Sequence, residues 1–231
     1  MLRDEHVRER VVVVFDVLRA TTTIAAALYS GAKEIRVFDS LDAVRSAAAE
    51  CLDEKLLCGE SKCLPPDGFD LGNSPIAYKR MVVHGKTLFL STTNGTRALV
   101  AARNASLLLA AALVNARAVA EALKTRRLDV TLLCAGTDGE IAPEDLIGTG
   151  AVISHLRNSE GVNPSAEARL SESMFWAASP DLVSELRKTQ GAQNVIQAGL
   201  PEDVDFAAQL DVFDIVPRCD GFTMTIRPFV E

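Results

Sequence analysis

The chain has no apolar run approaching the length of a membrane span, so no transmembrane helix and no membrane partner are expected. Its first ten residues, Met1 to Arg10, are charged and lack the apolar centre of a secretory signal. Cysteine is sparse. The five residues Cys51, Cys58, Cys63, Cys134 and Cys219 are odd in number and contain no C-x-x-C pair, which argues against a disulfide framework. Cys58 and Cys63 would make half a zinc site only with further ligands, and the sequence places none beside them. Histidine is scarcer still. His6 lies in the charged start, His84 precedes Gly85 in a turn and His155 sits in a helical pattern, so none is expected to be catalytic. Basic excess is also missing. The net charge of −7 argues against nucleic acid as a partner, but not against an anionic substrate whose site sets its own local field. These absences together lead us to expect a cytoplasmic protein.

What is present is an ordinary globular composition, 48% hydrophobic and 24% charged, over 231 residues, enough for one large domain with a real core. Strand-like runs at Val11–Asp16, Glu34–Phe38, Leu56–Cys58, Lys86–Ser91, Leu107–Ala111 and Val130–Cys134 alternate with helical patterns. Helices are expected over Thr22–Ser30, Ser40–Cys51, Gly95–Arg103, Ala116–Arg126 and Ala142–Asn158. The alternation predicts an α/β fold with a mainly parallel or mixed sheet. Residues 164–210 read as helical, with breaks near Pro180, Gly191 and Pro201, and are a candidate lobe over the site within a single domain spanning 1–231. Phe175 and Trp176 in this region are expected in the core. Ile215–Val216 and Phe222–Ile226, joined through Asp220-Gly221, predict a closing hairpin or edge strands.

Polar residues cluster where strands give way to helices, and in one long loop. The first cluster is Asp16, Arg19, Thr21, Thr22 and Thr23, after an apolar run that reads as a buried strand. Helix capping explains the hydroxyls, but less easily a carboxylate closing a buried strand. The second is Gly59-Glu60 followed by Gly68-Phe69-Asp70-Leu71-Gly72-Asn73-Ser74-Pro75, of which a helix start explains only the last residues. The third, Ser91-Thr92-Thr93-Asn94-Gly95-Thr96-Arg97, is a hydroxyl-rich turn between strand and helix that suits a phosphate. It lacks the Gly-Lys-Ser/Thr ending of a P-loop. The fourth is Cys134-Ala135-Gly136-Thr137-Asp138-Gly139-Glu140, where Asp138 and Glu140 are candidate oxygen ligands for Mg²⁺. The Glu144-Asp145 pair that follows is explained by the dipole of the next helix. If the clusters share one end of one sheet, acids, arginine and hydroxyls converge there. That set suits phosphoryl transfer, with Mg²⁺ neutralising phosphate charge and a carboxylate attacking or orienting water.

These segments, in this order, resemble the 2-phosphosulfolactate phosphatase family of coenzyme M biosynthesis. The resemblance rests on Asp16-Val17-Leu18-Arg19-Ala20-Thr21, Gly59-Glu60, Gly68 to Pro75, Thr92 to Arg97, and Cys134 to Glu140. It implies a three-layer α/β/α sandwich and a Mg²⁺-dependent phosphomonoesterase acting on a small anionic phosphorylated substrate. Read with the chemistry of the clusters, Asp16, Arg19 and Asp138 are the catalytic candidates. Thr21, Thr22, Asn73, Ser74, Asn94, Gly95, Thr96 and Arg97 become substrate-binding candidates. Asp16, Glu60, Asp70, Asp138 and Glu140 are the metal candidates. One departure is Ser61-Lys62-Cys63-Leu64, where the family usually carries an Arg and a glycine-rich turn; Lys62 supplies only a point charge there. A dehalogenase-like phosphatase would want a second acid two residues after Asp16, where Leu18 stands. A non-catalytic phospho-ligand sensor would have little use for so many carboxylates. The alanine-rich helices leave room for a homodimer.

Overall fold

A computed structural model describes residues 3–137, 139–157 and 159–230. The strands are β1 (Val11–Phe15), β2 (Glu34–Val37), β3 (Lys55–Gly59), β4 (Thr87–Ser91), β5 (Leu107–Ala111), β6 (Val130–Cys134), β7 (Pro217–Asp220) and β8 (Thr225–Pro228). The helices are α1 (Ala20–Tyr29), α2 (Leu41–Glu50), α3 (Arg80–Val83), α4 (Gly95–Ala101), α5 (Ala116–Lys124), α6 (Pro143–Leu156), α7 (Ala166–Ala178), α8 (Leu182–Arg187), α9 (Gln190–Gln197) and α10 (Pro201–Ala207).

Local chemistry accounts for most of these boundaries. Ser40 caps α2 by accepting from the Ala43 N–H at 3.3 Å, and Ser165 caps α7 from Ala168 at 3.2 Å. Pro143 and Pro201 occupy the first turns of α6 and α10, where a missing N–H is no loss. The break expected near Gly191 falls at Lys188-Thr189, where the Thr189 hydroxyl caps α9 and leaves Gly191 inside its first turn.

The described residues form an eight-stranded mixed sheet in the order β3-β4-β2-β8-β7-β5-β1-β6. On one face Val12 and Val14 share a core with Ile24 and Leu28 of α1 and Leu99 of α4. On the other face Val11, Val13 and Phe15 pack with Val119 of α5 and with Ile147, Ala151 and Val152 of α6. Phe89 of β4 packs on that second side against Val44 and Ala48 of α2. This is the expected three-layer sandwich. Helices α7 to α10 extend the second layer and share its core through Phe175, Leu186, Val195 and Val204. Phe175 is buried as expected. Trp176 is half exposed, because successive residues of a helix point to different sides and the core takes its neighbour.

The C-terminal segment departs furthest from expectation. β7 and β8 do form a hairpin, with Pro217 opposite Pro228 and Asp220 opposite Thr225. It is not at an edge. It fills the middle of the sheet, with β8 antiparallel to β2 and β7 antiparallel to β5. It therefore joins two parallel triplets, β3-β4-β2 and β5-β1-β6, that run in opposite senses. Five strand-to-strand steps separate β4 from β1, and the ordinary twist of about 20–25° per step turns the triplets by about 100–125°. The carboxyl ends of β1, β3 and β4 thus converge instead of pointing apart.

Ile226 of β8 is fully buried at this junction, opposite Ile35. Ile226→Ala is expected to lower unfolding free energy by about 2–5 kcal/mol in urea denaturation. A loss under about 1 kcal/mol would mean that the hairpin is peripheral.

Candidate active site

A cleft of about 670 Å³ opens where those strand ends meet. Its walls include Asp16 and Arg19 after β1, Glu60 to Leu64 after β3, Asn73 from the long loop, Thr92 to Asn94 after β4, Thr137 after β6, and Gly191, Asn194 and Gln197 of α9.

Asp16 is the centre of the arrangement. One carboxylate oxygen accepts the Ala20 N–H at 3.1 Å, and the Thr21 hydroxyl closes on the Asp16 carbonyl at 2.9 Å. The β4–α4 turn comes so close that a Cβ on Gly95 would fall 2.6 Å from Asp16 Oδ2 and 2.5 Å from the Ala20 Cβ. Gly95 is thus required by close approach, across the two triplets of the sheet. Burial raises the Asp16 carboxyl to about 6, with the charges of Glu60 and Glu144 adding to the rise and N–H groups of Ala20 and Gly95 opposing it.

The segment after Asp16 is gripped by two acids that sequence reasoning did not assign to the site. Asp145 accepts the Val17 N–H at 2.8 Å and the Gly136 N–H at 3.1 Å. Burial holds its own carboxyl well above the usual range, with the Asp16 charge adding to it. Asp203 binds the Arg19 guanidinium at 2.6 Å, both side chains almost wholly buried, and accepts the Ser74 hydroxyl at 2.6 Å. Arg19 also donates to the Cys63 carbonyl at 2.6 Å. Asp145 and Asp203 close identical tripeptides, Pro143-Glu144-Asp145 and Pro201-Glu202-Asp203, at the starts of α6 and α10. That repeat was the available signal. Helix-dipole chemistry masked it, since acids in a first turn need no further reason.

Glu60 accepts the Cys63 N–H at 2.9 Å through one oxygen, and the Thr93 N–H at 2.8 Å with the Thr93 hydroxyl through the other. It therefore ties the β3 and β4 loops together beside Asp16. Asn73 is buried on the cleft wall, and its Oδ1 has no partner among the described residues. Such a group is costly unless a ligand completes it.

The expected site residues thus divide. Asp16, Arg19, Glu60, Asn73 and Asn94 line the cleft, and Gly95 abuts Asp16. Thr21, Thr22 and Thr96 are buried and use their hydroxyls on the backbone carbonyls of Asp16, Val17 and Thr92. They shape the turns and do not face the cleft. Ser74 is committed to Asp203, and Arg97 is exposed outside the cleft lining. Asp70 is exposed and accepts the Leu57 N–H at 2.8 Å, pinning the long loop to β3; it does not join Asp16. Glu140 is exposed in a turn closed by mutual Thr137–Glu140 backbone bonds and also lies off the cleft. Asp138 lies outside the described residues. Among the described residues no group of three or more His, Cys, Asp or Glu side chains is placed to hold a metal. His155 pairs with Asp211 at 2.8 Å, away from the cleft lining.

The profile of the family described as 2-phosphosulpholactate phosphatase matches residues 1–221. A protein of Synechococcus sp. (strain CC9605), named probable 2-phosphosulfolactate phosphatase, is 42% identical over 184 residues, covering 77% of this chain and 76% of its own. Proteins of the same name from Clostridium perfringens (strain SM101 / Type A) and Thermotoga petrophila are 37% and 41% identical, over 74% and 71% of this chain and 70% and 71% of theirs.

Two outcomes follow from the buried charges. Asp203→Ala strands the Arg19 cation and is expected to cost about 3–5 kcal/mol of stability, measured by urea unfolding. Asp16 has a folded-state pKa of about 6 against an ordinary 3.8, so its ionisation opposes folding. That penalty is absent below pH 4 and complete above pH 6. Asp16→Asn should therefore stabilise the metal-free protein by roughly 2–3 kcal/mol at pH 8, the gain vanishing by pH 4. A gain that is independent of pH would contradict this origin.

Proposed function

The chain belongs to the 2-phosphosulfolactate phosphatase family, a phosphoric monoester hydrolase, and on that footing we propose that its cleft hydrolyses 2-phosphosulfolactate to sulfolactate and phosphate with Mg²⁺. The observation that carries the proposal is the meeting of Asp16, Glu60, the unpartnered Asn73 Oδ1 and the Thr92–Asn94 turn in one cleft.

The donor set fits Mg²⁺. Asp16, Glu60 and Asn73 offer hard oxygens. Mg²⁺ is typically held by one or two carboxylates, with substrate phosphate and water completing its shell. Asp16 is already burdened by the neighbouring Glu60 charge, a repulsion that a dication relieves. When bound, Mg²⁺ supplies neutralisation of phosphate charge and acidification of a coordinated water. The chain's own residues do the rest. Asp16 and Glu60 would hold the cation, and Asn94, beside the Thr93 donors that Glu60 already takes, would face the phosphate oxygens. Arg19 is fixed by Asp203 and Cys63, which leaves its remaining N–H groups to a substrate oxygen. The Asp145 carboxylate keeps the Val17 peptide, and hence the Asp16 side chain, in place.

Phosphate release from 2-phosphosulfolactate, with Mg²⁺ and with chelator, tests the reading: release with the cation and loss without it are expected. Asp16→Asn should cut turnover by at least ~100-fold, the scale for losing a metal ligand or nucleophile; near wild-type turnover would confine Asp16 to capping. Because proton and cation compete for the same carboxylate, the acid limb of kcat/KM should lie near pH 6 at low Mg²⁺ and move down as Mg²⁺ rises. An acid limb indifferent to Mg²⁺ would separate the cation from Asp16.

A further inference from the structure

The turn that follows Glu60 is held in a conformation its sequence does not favour. Lys62 has φ of 50° and Cys63 φ of 67°, both left-handed. Ser61 and Leu64 exchange backbone hydrogen bonds at 3.0 and 3.1 Å across them, as in a two-residue hairpin turn. Two consecutive left-handed residues call for Asn-Gly, because a side chain carrying Cβ is crowded there. Here the conformation is imposed from below: the Cys63 N–H is held by Glu60 and its carbonyl by Arg19, each of which belongs to the cleft.

What this unfavourable turn presents to the cleft is a cation. Arg19 and Lys62 are the basic side chains on the cleft lining. Arg19 is neutralised by Asp203, whereas Lys62 enters no ion pair among the described residues. Lys62 is exposed at the cleft wall, and Asn194 and Gln197 also line this cleft. The carboxylates of Asp16 and Glu60 suit a metal-bound phosphate and repel any other anion. Of the two cations on the lining, Lys62 is the one with no counter-charge among the described residues to offset its attraction for a second anionic group on the substrate.

Resting on the reading of the cleft as a phosphatase site, we propose that Lys62 is a specificity-determining residue, binding the sulfonate or carboxylate that the substrate carries beside its phosphate ester. A charge-assisted contact of this kind is worth about 10–100-fold in binding. Asn tolerates the left-handed region, so Lys62→Asn removes the charge and keeps the turn.

The test compares 2-phosphosulfolactate with p-nitrophenyl phosphate, which has no second acid group. The ratio of their kcat/KM values should fall at least ~10-fold in Lys62→Asn and be largely restored in Lys62→Arg, with the melting temperature of Lys62→Asn no lower than wild type. An unchanged ratio, or equal losses on both substrates, overturns the assignment while leaving phosphatase function standing. Failure of the wild type on both substrates overturns the functional reading instead. Calorimetric binding of sulfolactate needs no turnover: weaker binding to Lys62→Asn supports the Lys62 contact, and equal affinity refutes it.

Discussion

The rest of the structure depends on how the centre of the sheet is satisfied. The inner edges of β2 and β5 would be bare rows of buried N–H and C=O groups, and such groups must find partners. The β7–β8 hairpin supplies them, and in doing so it sets one parallel triplet against the other. Twist accumulated across that insertion brings the carboxyl end of β1 onto those of β3 and β4. The closest evidence of convergence is Gly95, with no room for a Cβ between it and the Asp16 carboxylate. Asp16, Glu60 and the Thr92–Asn94 turn can share a cleft only because the last strands of the chain close the middle.

Burial then gives the site its chemistry. Asp16 is ionised at some cost, near other acids, in a pocket whose amide oxygen on Asn73 lacks a partner. A protein built for stability alone would not keep such a group. The acids Asp145 and Asp203 hold the Val17–Arg19 segment from two different helices, so the helical region over residues 164–210 is tied to the site through Asp203 and Ser74. It shares the core of the main layer, and the expectation of a lobe within one domain reduces to this wall of the cleft.

Much of this was legible in the sequence, for physical reasons. β1 and β5 announce themselves as apolar runs because both sheet faces are covered. Asp16 stood out because a carboxylate rarely ends a buried strand without a purpose, and Glu60, Asn73 and Asn94 followed from the clusters. The central hairpin did not read as central: the alternation of buried Pro217 and Cys219 with exposed Arg218 and Asp220 is what an edge strand shows. Pairing partners as distant as Leu108 for Cys219 and Ile35 for Ile226 leave no local trace. Asp70 and Glu140 were expected at the metal on residue type alone, but a carboxylate serves equally well on the Leu57 N–H or in a solvent turn. Asp145 and Asp203 were hidden by the opposite error, since their place in a helical first turn already had an explanation.

The central proposal is that the two halves of the sheet build one cation and phosphate site at Asp16 and Glu60. Anomalous scattering from crystals soaked with Mn²⁺ and inorganic phosphate, Mn²⁺ standing in for Mg²⁺, tests it most directly. The account predicts a manganese peak beside the Asp16 and Glu60 carboxylates, with the phosphate near Asn94. A peak held by Asp70 or Glu140, with Asp16 untouched, would contradict it.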